Sequence, residues 1–285
     1  MTFTPQVFLI GAQKAGTTTL AYLLDQHPTI IVSNPKETHF FTHNWHKGFE
    51  WYEQTFVNPD KQGDKYCYID ASTSYTMAPI YRGDINHVFS GVPEKIYRVR
   101  PDAKFIYLIR DPVDRTYSGY WHSVRTGREN RSFSTVIREK NSPYLEISDY
   151  FGQMKLWNQY FDKESFLFVS FEELVKSPQS LCQKCFDFMN LDSTYQVTLD
   201  SVKNQSYNPN WVGRKLNKLG VTYPSLSNIK KALPKSIQGY INSIRKTNTK
   251  IPSIDHDDKR FLMEYFKKRN DELRKVFQIS FDWGY

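Results

Sequence analysis

Short apolar runs rich in β-branched and aromatic residues recur along the chain and are separated by segments long enough for crossover helices. The runs are VFLIG (7–11), TIIVS (29–33), KYCYIDA (65–71), KFIYLIR (104–110) and SFLFVSF (165–171). Such alternation is typical of a parallel β-sheet that is covered on both faces. The pattern therefore predicts an α/β fold in which helices flank both faces of a parallel β-sheet.

Three segments place apolar residues at helical spacing, namely residues 17–28, 177–191 and 257–277. In the second segment, Ser177 is the predicted cap and Pro178 takes the first helical position, where a missing N–H has little consequence. The first segment directly follows the first apolar run. The sequence thus predicts a strand, a loop and a helix in succession at the start of the chain.

The length of 285 residues fits one large α/β domain, and we predict a single domain over residues 1–285. Within it, residues 204–254 are rich in Asn, Ser, Lys and Pro, so we expect an irregular segment or lid there. No apolar run approaches the roughly 20 residues needed to cross a bilayer, and no charged-then-apolar leader precedes the first strand. We therefore expect a cytoplasmic protein without a membrane span. Cys67, Cys182 and Cys185 do not form a disulfide pattern and are expected to be reduced thiols.

The chain carries a formal net charge of +8 and has a sequence pI near 9.1. This excess favours acidic ligands, although a generally basic surface without a dedicated partner accounts for it equally well. The 19 Tyr and 6 Trp are scattered along the whole chain rather than interleaved with a basic stripe. That distribution argues against a nucleic-acid partner.

The segment GAQKAGTTTL, residues 11–20, has the glycine spacing of a P-loop, because four residues separate Gly11 from Gly16. A P-loop continues with Lys and Ser/Thr, whereas Gly16 is followed by Thr17, and the nearest lysine, Lys14, lies inside the loop. Backbone N–H groups of a glycine turn that opens a helix bind anions. We expect a P-loop-type phosphate site; an ordinary glycine turn capped by threonine is the alternative.

A second candidate anion site follows the run KFIYLI, which ends in Arg110. A nucleoside triphosphatase places an acidic metal ligand at such a strand end, whereas a cation suits a second phosphate. Ser118 follows on the predicted helix. The alternatives are a salt bridge from Arg110 to Asp111 or Asp114 and a surface hydroxyl at Ser118. Two phosphate sites at two strand-to-helix turns fit a nucleotide with phosphates at both the 5′ and 3′ positions.

Several segments resemble sulfotransferases that use 3′-phosphoadenylyl sulfate (PAPS). FLIGAQKAGTTTL is similar to their 5′-phosphosulfate loop, and FIYLIRDPVDRTYSGYWH to their 3′-phosphate motif, in the same order along the chain. Shorter matches add to this, and together they resemble the glycan branch, including heparan-sulfate-type enzymes, more than the phenol and steroid branch. They are NPKETHFF, YFGQMKLWNQYF, FLFVSFEELVKSP, EYFKKRNDELRKVF and FDWGY.

The resemblance implies a donor site for PAPS without a metal. A cation is needed near the bridging oxygen where negative charge develops, and by match to the motif this is Lys14. Arg110 and Ser118 would hold the 3′-phosphate, and Arg214 and Lys215 could close over the nucleotide, with solvated charges as the alternative. The predicted residues around the 5′-phosphosulfate are Gln13, Lys14, Ala15, Gly16, Thr17, Thr18 and Thr19.

On the acceptor side, a sugar hydroxyl needs a base that takes its proton. Glu37 matches the position of a catalytic glutamate in heparan-type enzymes, and His39 is a second candidate because an imidazole titrates nearer neutrality. Lys36, Asp70 and Tyr75 are predicted to face the acceptor. The alternatives are an ion pair of Glu37 with Lys36, a solvated charge at Lys36, a packed ring at His39, a helix cap at Asp70 and a core ring at Tyr75.

One position departs from the heparan-type pattern, in which a Glu-Lys pair often follows the third strand. Here Asp70 is followed by Ala71, so the assisting lysine is absent from this turn. The expected function is in-line transfer of a sulfuryl group from PAPS to a hydroxyl, in preference to an amine, of a carbohydrate or glycolipid. A P-loop kinase is disfavoured by the residue after Gly16 and by the basic strand end. A non-catalytic module that binds nucleotides or anionic polymers is disfavoured by Glu37.

Overall fold

The computed structural model describes residues 3–58, 66–199, 251–281 and 283–285. All five apolar runs predicted as strands form strands, and they join in one parallel sheet of order β2-β3-β1-β4-β5. The strands are β1 (Val7–Gly11), β2 (Ile30–Val32), β3 (Cys67–Asp70), β4 (Lys104–Ile109) and β5 (Phe166–Ser170). The predicted α/β fold with a parallel sheet is confirmed.

The helices described in the structure connect and cover these strands. They are α1 (Thr17–Asp25), α2 (Gly48–Gln54), α3 (Val92–Val99), α4 (Pro112–Arg125), α5 (Phe133–Ile137), α6 (Pro143–Ser148), α7 (Tyr150–Trp157), α8 (Phe171–Lys176), α9 (Pro178–Phe188) and a C-terminal helix (His256–Phe277). Short 3-10 turns occur at Trp45–Lys47, Thr73–Thr76 and Lys163–Ser165. The three helices predicted from the sequence are present, but the Ser177 side chain makes no capping hydrogen bond at the start of α9.

The two central strands carry the core. Every residue of β1 is buried, as are residues 105–109 of β4, so their apolar side chains pack against helices on both faces. Phe105 illustrates the packing, with its ring centroid 5.7 Å from that of Phe8 and 4.8 Å from that of Trp157. Burial of one such side chain is worth about 1.5–3 kcal/mol. This packing fixes the carboxyl ends of β1 and β4 side by side.

A second apolar cluster lies beyond α4, where α5, α6 and the C-terminal helix meet. The C-terminal helix is tied to the rest by Arg269, whose Nε donates to Asp149 Oδ2 at 3.0 Å. The same carboxylate oxygen accepts the Tyr81 hydroxyl at 2.6 Å. Asp149 therefore links α7, the segment after β3 and the C-terminal helix.

The structure bears on the predicted thiols, on membrane spans and on the segment at 204–254. Cys182 and Cys185 are buried free thiols, and Cys67 is half-buried. Among the described helices, none has both the length and the apolar character of a membrane span. The segment predicted as irregular structure or a lid at 204–254 lies outside the described residues up to residue 250, and Arg214 and Lys215 fall within that part.

Candidate active site

The loop between β1 and α1 has the backbone geometry of an anion site. Lys14 and Gly16 adopt left-handed conformations, with φ of 73° and 93°. The N–H groups of Thr19 and Leu20 donate to the Gly16 carbonyl at 3.0 and 3.1 Å, so α1 begins at Thr17. The first N–H groups of a helix have no acceptor within it and point outward with the positive end of the helix dipole. The turn is therefore built to receive an anion.

Close packing requires a glycine at residue 16. A Cβ at Gly16 would lie 3.0 Å from Leu174 Cδ2 and 3.1 Å from Phe171 Cδ2, both on α8. A side chain would require these two side chains to shift by a few tenths of an ångström, and the positive φ adds strain for any residue with a Cβ. This glycine lets the loop fold tightly around its predicted ligand.

A buried guanidinium holds the loop from the inner side. Arg115 on α4 is 1% exposed, and its Nε donates to the Gln13 carbonyl at 3.0 Å. Its Nη1 donates to the Tyr144 carbonyl at 3.3 Å and to Ser148 Oγ at 3.0 Å. These acceptors are neutral, so the positive charge of Arg115 remains uncompensated by them. Sequence reasoning missed this residue, although it lies within the quoted motif, one helical turn before Ser118.

Positive charge converges on Lys14. Burial lowers the pKa of Lys14, and the nearby Arg125, Arg115 and Arg110 lower it further. On α4, His122 responds to the same field: burial and then the charge of Lys14 lower its pKa to about 4. Repulsion of this kind is relieved by a multiply charged anion, which is the ligand expected at such a site.

Arg110 lies at the end of β4, on the same edge of the sheet as the loop. Its Nη2 donates to Asp114 Oδ2 at 2.9 Å, so the salt bridge considered from the sequence is present. Its guanidinium carbon lies 4.7 Å from the centre of the Phe171 ring, and Phe171 also packs beside Gly16. Among the described residues, Arg110 Nε is buried without a hydrogen-bond partner. A ligand group would satisfy this donor.

Ser118 occupies a half-buried position on α4, whereas Arg110 precedes that helix. Helical spacing places Ser118 on the same face as Arg115 and His122, which lie three residues before it and four after it. The charge of Arg115 lowers the pKa of Lys14, and the charge of Lys14 lowers the pKa of His122. The structure therefore gathers the two predicted phosphate sites at one edge of the sheet.

Glu37 follows β2 and receives three polar contacts. Its Oε2 accepts the Thr73 hydroxyl at 2.8 Å and the Thr73 N–H at 3.3 Å, and its Oε1 lies 3.2 Å from Lys36 Nζ. Burial alone would raise the pKa of Glu37, but the Lys36 charge and the Thr73 hydrogen bond outweigh it and hold the pKa below its usual value. The carboxylate is therefore ionised at neutral pH and able to accept a proton.

Lys36 connects Glu37 with the phosphate loop. Its Nζ lies 3.3 Å from Thr17 Oγ1, at the start of α1, as well as 3.2 Å from Glu37 Oε1. Burial lowers the pKa of Lys36, while the Glu37 carboxylate opposes that shift. The ammonium is thus enclosed between the two parts of the site, and the alternative of a solvated surface charge does not describe it.

His39 lies beside Glu37, and its imidazole is oriented by a hydrogen bond with Ser74. Its Nδ1 lies 2.8 Å from Ser74 Oγ, and its Nε2 lies 3.8 Å from Glu37 Oε2. The side chain is 35% exposed, so it is not the packed core ring considered as the alternative. Both candidate bases therefore face the same space, and Glu37 has the better-defined hydrogen bonds.

The structure corrects the expectation that Asp70 and Tyr75 face the acceptor. Asp70 is 0% exposed and Tyr75 is 1% exposed. Asp70 Oδ2 accepts hydroxyls from Tyr75 at 2.6 Å, Tyr52 at 2.7 Å and Thr38 at 2.7 Å. The enclosed carboxylate organises neighbouring hydroxyls and cannot reach a surface ligand from this position. The core-ring alternative describes Tyr75.

Asp70 and the hydroxyl groups around it also hold the segment that carries Glu37 and His39 in position. Ser72 Oγ donates to Asp70 Oδ1 at 2.6 Å and accepts the His39 N–H at 3.0 Å. Thr38, between Glu37 and His39, donates to the same carboxylate. Burial raises the pKa of Asp70, and the hydroxyl donors oppose the rise. Asp70 is therefore a positioning residue for the segment that carries Glu37.

No group of three or more His, Cys, Asp or Glu side chains with metal-binding geometry occurs within the described ranges. The cations at the site include Lys14, Lys36, Arg110, Arg115 and Arg125. Their arrangement gives the protein its own positive charges beside both anion sites.

Comparison with known proteins identifies the fold and the family. A family model described as "Sulfotransferase domain" matches residues 4–221. The chain is 26% identical over 293 residues to the mouse bifunctional heparan sulfate N-deacetylase/N-sulfotransferase 3, covering 95% of this chain and 30% of that protein. It is 28% identical over 195 residues to mouse heparan sulfate glucosamine 3-O-sulfotransferase 3A1, covering 66% of this chain and 46% of that protein. The chain thus spans less than half the length of these relatives.

A solved structure agrees over nearly the whole chain. The sulfotransferase from Alicyclobacillus acidocaldarius superposes with a TM-score of 0.65 at 20% identity, covering 98% of each chain. At this identity the likeness establishes the fold. The polypeptide path described above is therefore a known fold.

Proposed function

Because the chain belongs to the sulfotransferase domain family, we propose that it transfers the sulfuryl group of PAPS to a hydroxyl of a carbohydrate or glycolipid. The observation that carries this proposal is the pair of anion sites at the ends of β1 and β4, which share Phe171 as a common wall. Relatives named as heparan sulfate sulfotransferases support a carbohydrate acceptor. Since their names include both N- and O-sulfotransferases, a hydroxyl acceptor has to be compared with an amine acceptor such as N-deacetylated glucosamine.

The residues present fit a donor with phosphates at both ends. The loop at Gly16 has the positive φ that favours glycine and packs tightly against α8, and Arg110 Nε is a buried donor without a partner among the described residues. The first fits a closely approached 5′-phosphosulfate, and the second fits a 3′-phosphate. Lys14, Gly16, Thr17, Thr18 and Thr19 would hold the former; Arg110 and Ser118 would hold the latter. The bound donor supplies an activated sulfuryl group.

The chain's own residues then have two tasks. Glu37 accepts the proton of the acceptor hydroxyl, because its carboxylate is ionised and exposed enough to be reached. Lys14 and Lys36 supply positive charge on the donor side of Glu37, where negative charge develops on the leaving oxygen. The turn after β3 lacks the assisting lysine of the heparan-type pattern. Lys36 would supply a positive charge in its place, since its ammonium lies 3.2 Å from Glu37.

The low pKa of Glu37 has a consequence for this assignment. A general base works best when its pKa lies near the operating pH, and Lys36 holds that of Glu37 below the usual value. If Lys36 turns toward a phosphosulfate, Glu37 loses part of the interaction that stabilises its charge. Its basicity then rises at the moment when the acceptor has to be deprotonated.

Titration calorimetry and a transfer assay test the proposal together. We expect adenosine 3′,5′-bisphosphate to bind more tightly than ATP with Mg²⁺, and labelled sulfate to move to a carbohydrate or glycolipid in excess EDTA. Loss of transfer on chelation, with recovery on adding Mg²⁺, would contradict the metal-free mechanism. Tight bisphosphate binding without transfer to any acceptor would instead indicate a non-catalytic module. The cytoplasmic location and the single-domain organisation over residues 1–285 stay predictions, the former tested by cell fractionation.

A further inference from the structure

A pocket with a volume of about 510 Å³ lies outside the donor site, between the 3-10 turn Trp45–Lys47 and the first turn of α3. We call it the Trp45 pocket. Its lining residues are Thr42, Trp45, His46, Ile85, Asn86, His87, Val88, Ser90, Gly91, Glu94, Lys95 and Arg98. The functions assigned above use none of these residues.

A hydrogen bond and a series of ring contacts connect the lining of the Trp45 pocket with His39, beside Glu37. Thr42, which lines the pocket, donates its hydroxyl to the His39 carbonyl at 3.1 Å. Ring contacts lead the same way: His39 lies 5.9 Å from His43, His43 lies 5.1 Å from Phe89, and Phe89 lies 5.1 Å from His87. A ligand group in the Trp45 pocket would therefore lie on the acceptor side of the candidate base.

The charge of the pocket is positive. Glu94 is its carboxylate, and Arg98 neutralises it through a contact of 2.5 Å. Lys95 has no carboxylate within ion-pair distance among the described residues, and its Nζ donates to the Phe41 carbonyl at 3.3 Å. The other N–H groups of this ammonium remain available to a ligand. The imidazoles of His46 and His87 add two more potential donors at the rim.

The pocket also has a rigid aromatic wall. Trp45 is 39% exposed, yet its indole is held from behind by Phe40 at 5.2 Å, Phe41 at 5.6 Å and Phe49 at 5.7 Å. Lys95 Nζ lies 5.8 Å from the same indole. A flat apolar face beside a cation suits a ligand that combines an apolar face with an anionic group. A pyranose ring that carries a carboxylate or a sulfate has this combination.

We propose that the Trp45 pocket is an acceptor subsite for an acidic sugar residue that neighbours the sugar receiving the sulfuryl group. This proposal rests on the proposed function, because it concerns the acceptor of that reaction. Trp45 supports the sugar ring, and Lys95 together with His87 binds its carboxylate or sulfate. Because Glu37 is not among the lining residues, recognition in the Trp45 pocket would select the acceptor without taking part in the chemistry.

The test uses one oligosaccharide in three forms: with uronate carboxylates, with those carboxylates reduced to alcohols, and with the reduced form O-sulfated. Calorimetric titration of each into the protein saturated with adenosine 3′,5′-bisphosphate measures the subsite without requiring turnover. The variants are Lys95→Gln, His87→Gln and Trp45→Phe. Lys163→Gln is the matched control, because Lys163 is exposed and precedes β5, at the opposite end of the strands.

We expect Lys95→Gln and His87→Gln to weaken the acidic forms by about 3- to 10-fold each and to leave the neutral form unchanged. Trp45→Phe should weaken all three forms, since it shortens the aromatic wall. Whether the carboxylated or the sulfated form loses more affinity identifies the group that is bound. Unchanged melting temperature and bisphosphate affinity exclude a folding defect.

Equal affinities of the wild-type protein for the acidic and neutral forms would overturn the subsite, as would charge variants that bind all forms like the control. Both outcomes leave the proposed function intact if sulfate transfer persists. Failure of the wild-type protein to transfer sulfate to any acceptor would instead remove the proposed function, and the calorimetry would still decide whether the pocket binds acidic sugars.

Discussion

Lys36 Nζ donates to Glu37 Oε1 at 3.2 Å, and this contact joins the candidate base to the donor loop. The same ammonium lies 3.3 Å from Thr17 Oγ1, at the first residue of α1. A ligand that attracts Lys36 at the loop therefore changes the electrostatic environment of Glu37. If the donor binds at this loop and Glu37 is the base, one side chain would couple donor binding to activation of the base.

The first prediction separates catalysis from binding at Glu37. Glu37→Gln keeps the shape of the side chain and one acceptor oxygen for Thr73 but removes its basicity, so kcat should fall by about 10² to 10⁴. Affinity for adenosine 3′,5′-bisphosphate should stay within a few-fold of the wild-type value. Steady-state kinetics at saturating donor, with calorimetry of the bisphosphate, measure both quantities.

The matched control for Glu37 is His39→Asn, which removes the second candidate base from the same space. We expect the smaller loss of kcat in this variant, because His39 is held by Ser74 rather than directed by Thr73 and Lys36. A greater loss in His39→Asn than in Glu37→Gln would make the imidazole the base.

The second prediction concerns the 3′-phosphate. Arg110→Ala should weaken adenosine 3′,5′-bisphosphate far more than adenosine 5′-phosphate, because a charge-assisted contact worth about 1.5 to 3 kcal/mol is lost for the former alone. The loss would be smaller if Arg110 had to give up its contact with Asp114 to bind the ligand. Arg260→Ala, an exposed arginine on the C-terminal helix, is the control. Equal weakening of both nucleotides would show that Arg110 does not contact the 3′ group.

The third prediction concerns the enclosed carboxylate behind the site. Asp70→Asn replaces an acceptor of four hydroxyls by an amide, leaving buried hydroxyls unsatisfied and lowering the free energy of unfolding by about 3 kcal/mol. Tyr75→Phe removes one donor and should cost about 1 kcal/mol. Urea unfolding measures both, with the exposed Asp187→Asn as control. Wild-type stability of Asp70→Asn would show that the hydroxyls do not depend on this carboxylate.

The fourth prediction uses the lowered pKa of His122. An unfolded histidine titrates near 6.5, whereas burial and the charge of Lys14 bring the pKa of His122 to about 4. Between these values the unfolded chain binds the extra proton, so stability rises with pH across this window and is lost as the pH falls. His122→Gln should therefore lose less stability than the wild-type protein between pH 7 and pH 5.

Urea unfolding at the two pH values measures this difference. His256→Gln is the control, because that imidazole is 88% exposed and should leave the wild-type dependence unchanged. Equal losses of stability in His122→Gln and the wild-type protein would contradict the assigned environment. In the wild-type protein, bisphosphate binding should raise the pKa of His122, since the ligand's negative charge favours the imidazolium.

Local patterns predicted much of the fold and the donor side of the site. The five strands, the loop at Gly16 and the cation at the end of β4 are each encoded within a few neighbouring residues. Glu37 is a candidate through its motif, since a single glutamate carries no signal of its own, and its role as the base stays a prediction. The order of the strands needed the structure, because alternation of strands and helices is compatible with several orders.

Contacts between residues distant in sequence account for what the sequence did not predict. Asp70 is the last residue of β3, a position where a polar residue favours a site, but Tyr52 and Thr38 enclose it from other segments. In the sequence, nothing distinguishes Arg115 from other helical arginines. Its role depends on the hydrogen bond to the Gln13 carbonyl at 3.0 Å, which joins residues 102 positions apart. The Trp45 pocket likewise depends on Lys95, which lies 50 positions along the chain from Trp45.

The central claim is transfer of a sulfuryl group from PAPS to a carbohydrate, and a labelled-donor assay over matched acceptors tests it most directly. The acceptors are a glucosamine–uronate oligosaccharide in N-acetylated and N-deacetylated forms, a glycolipid and a simple phenol. We predict label on the N-acetylated oligosaccharide or the glycolipid, formation of one bisphosphate per label, and loss of both in Lys14→Met. Label confined to the phenol, or a donor left unconsumed with every acceptor, would contradict the account.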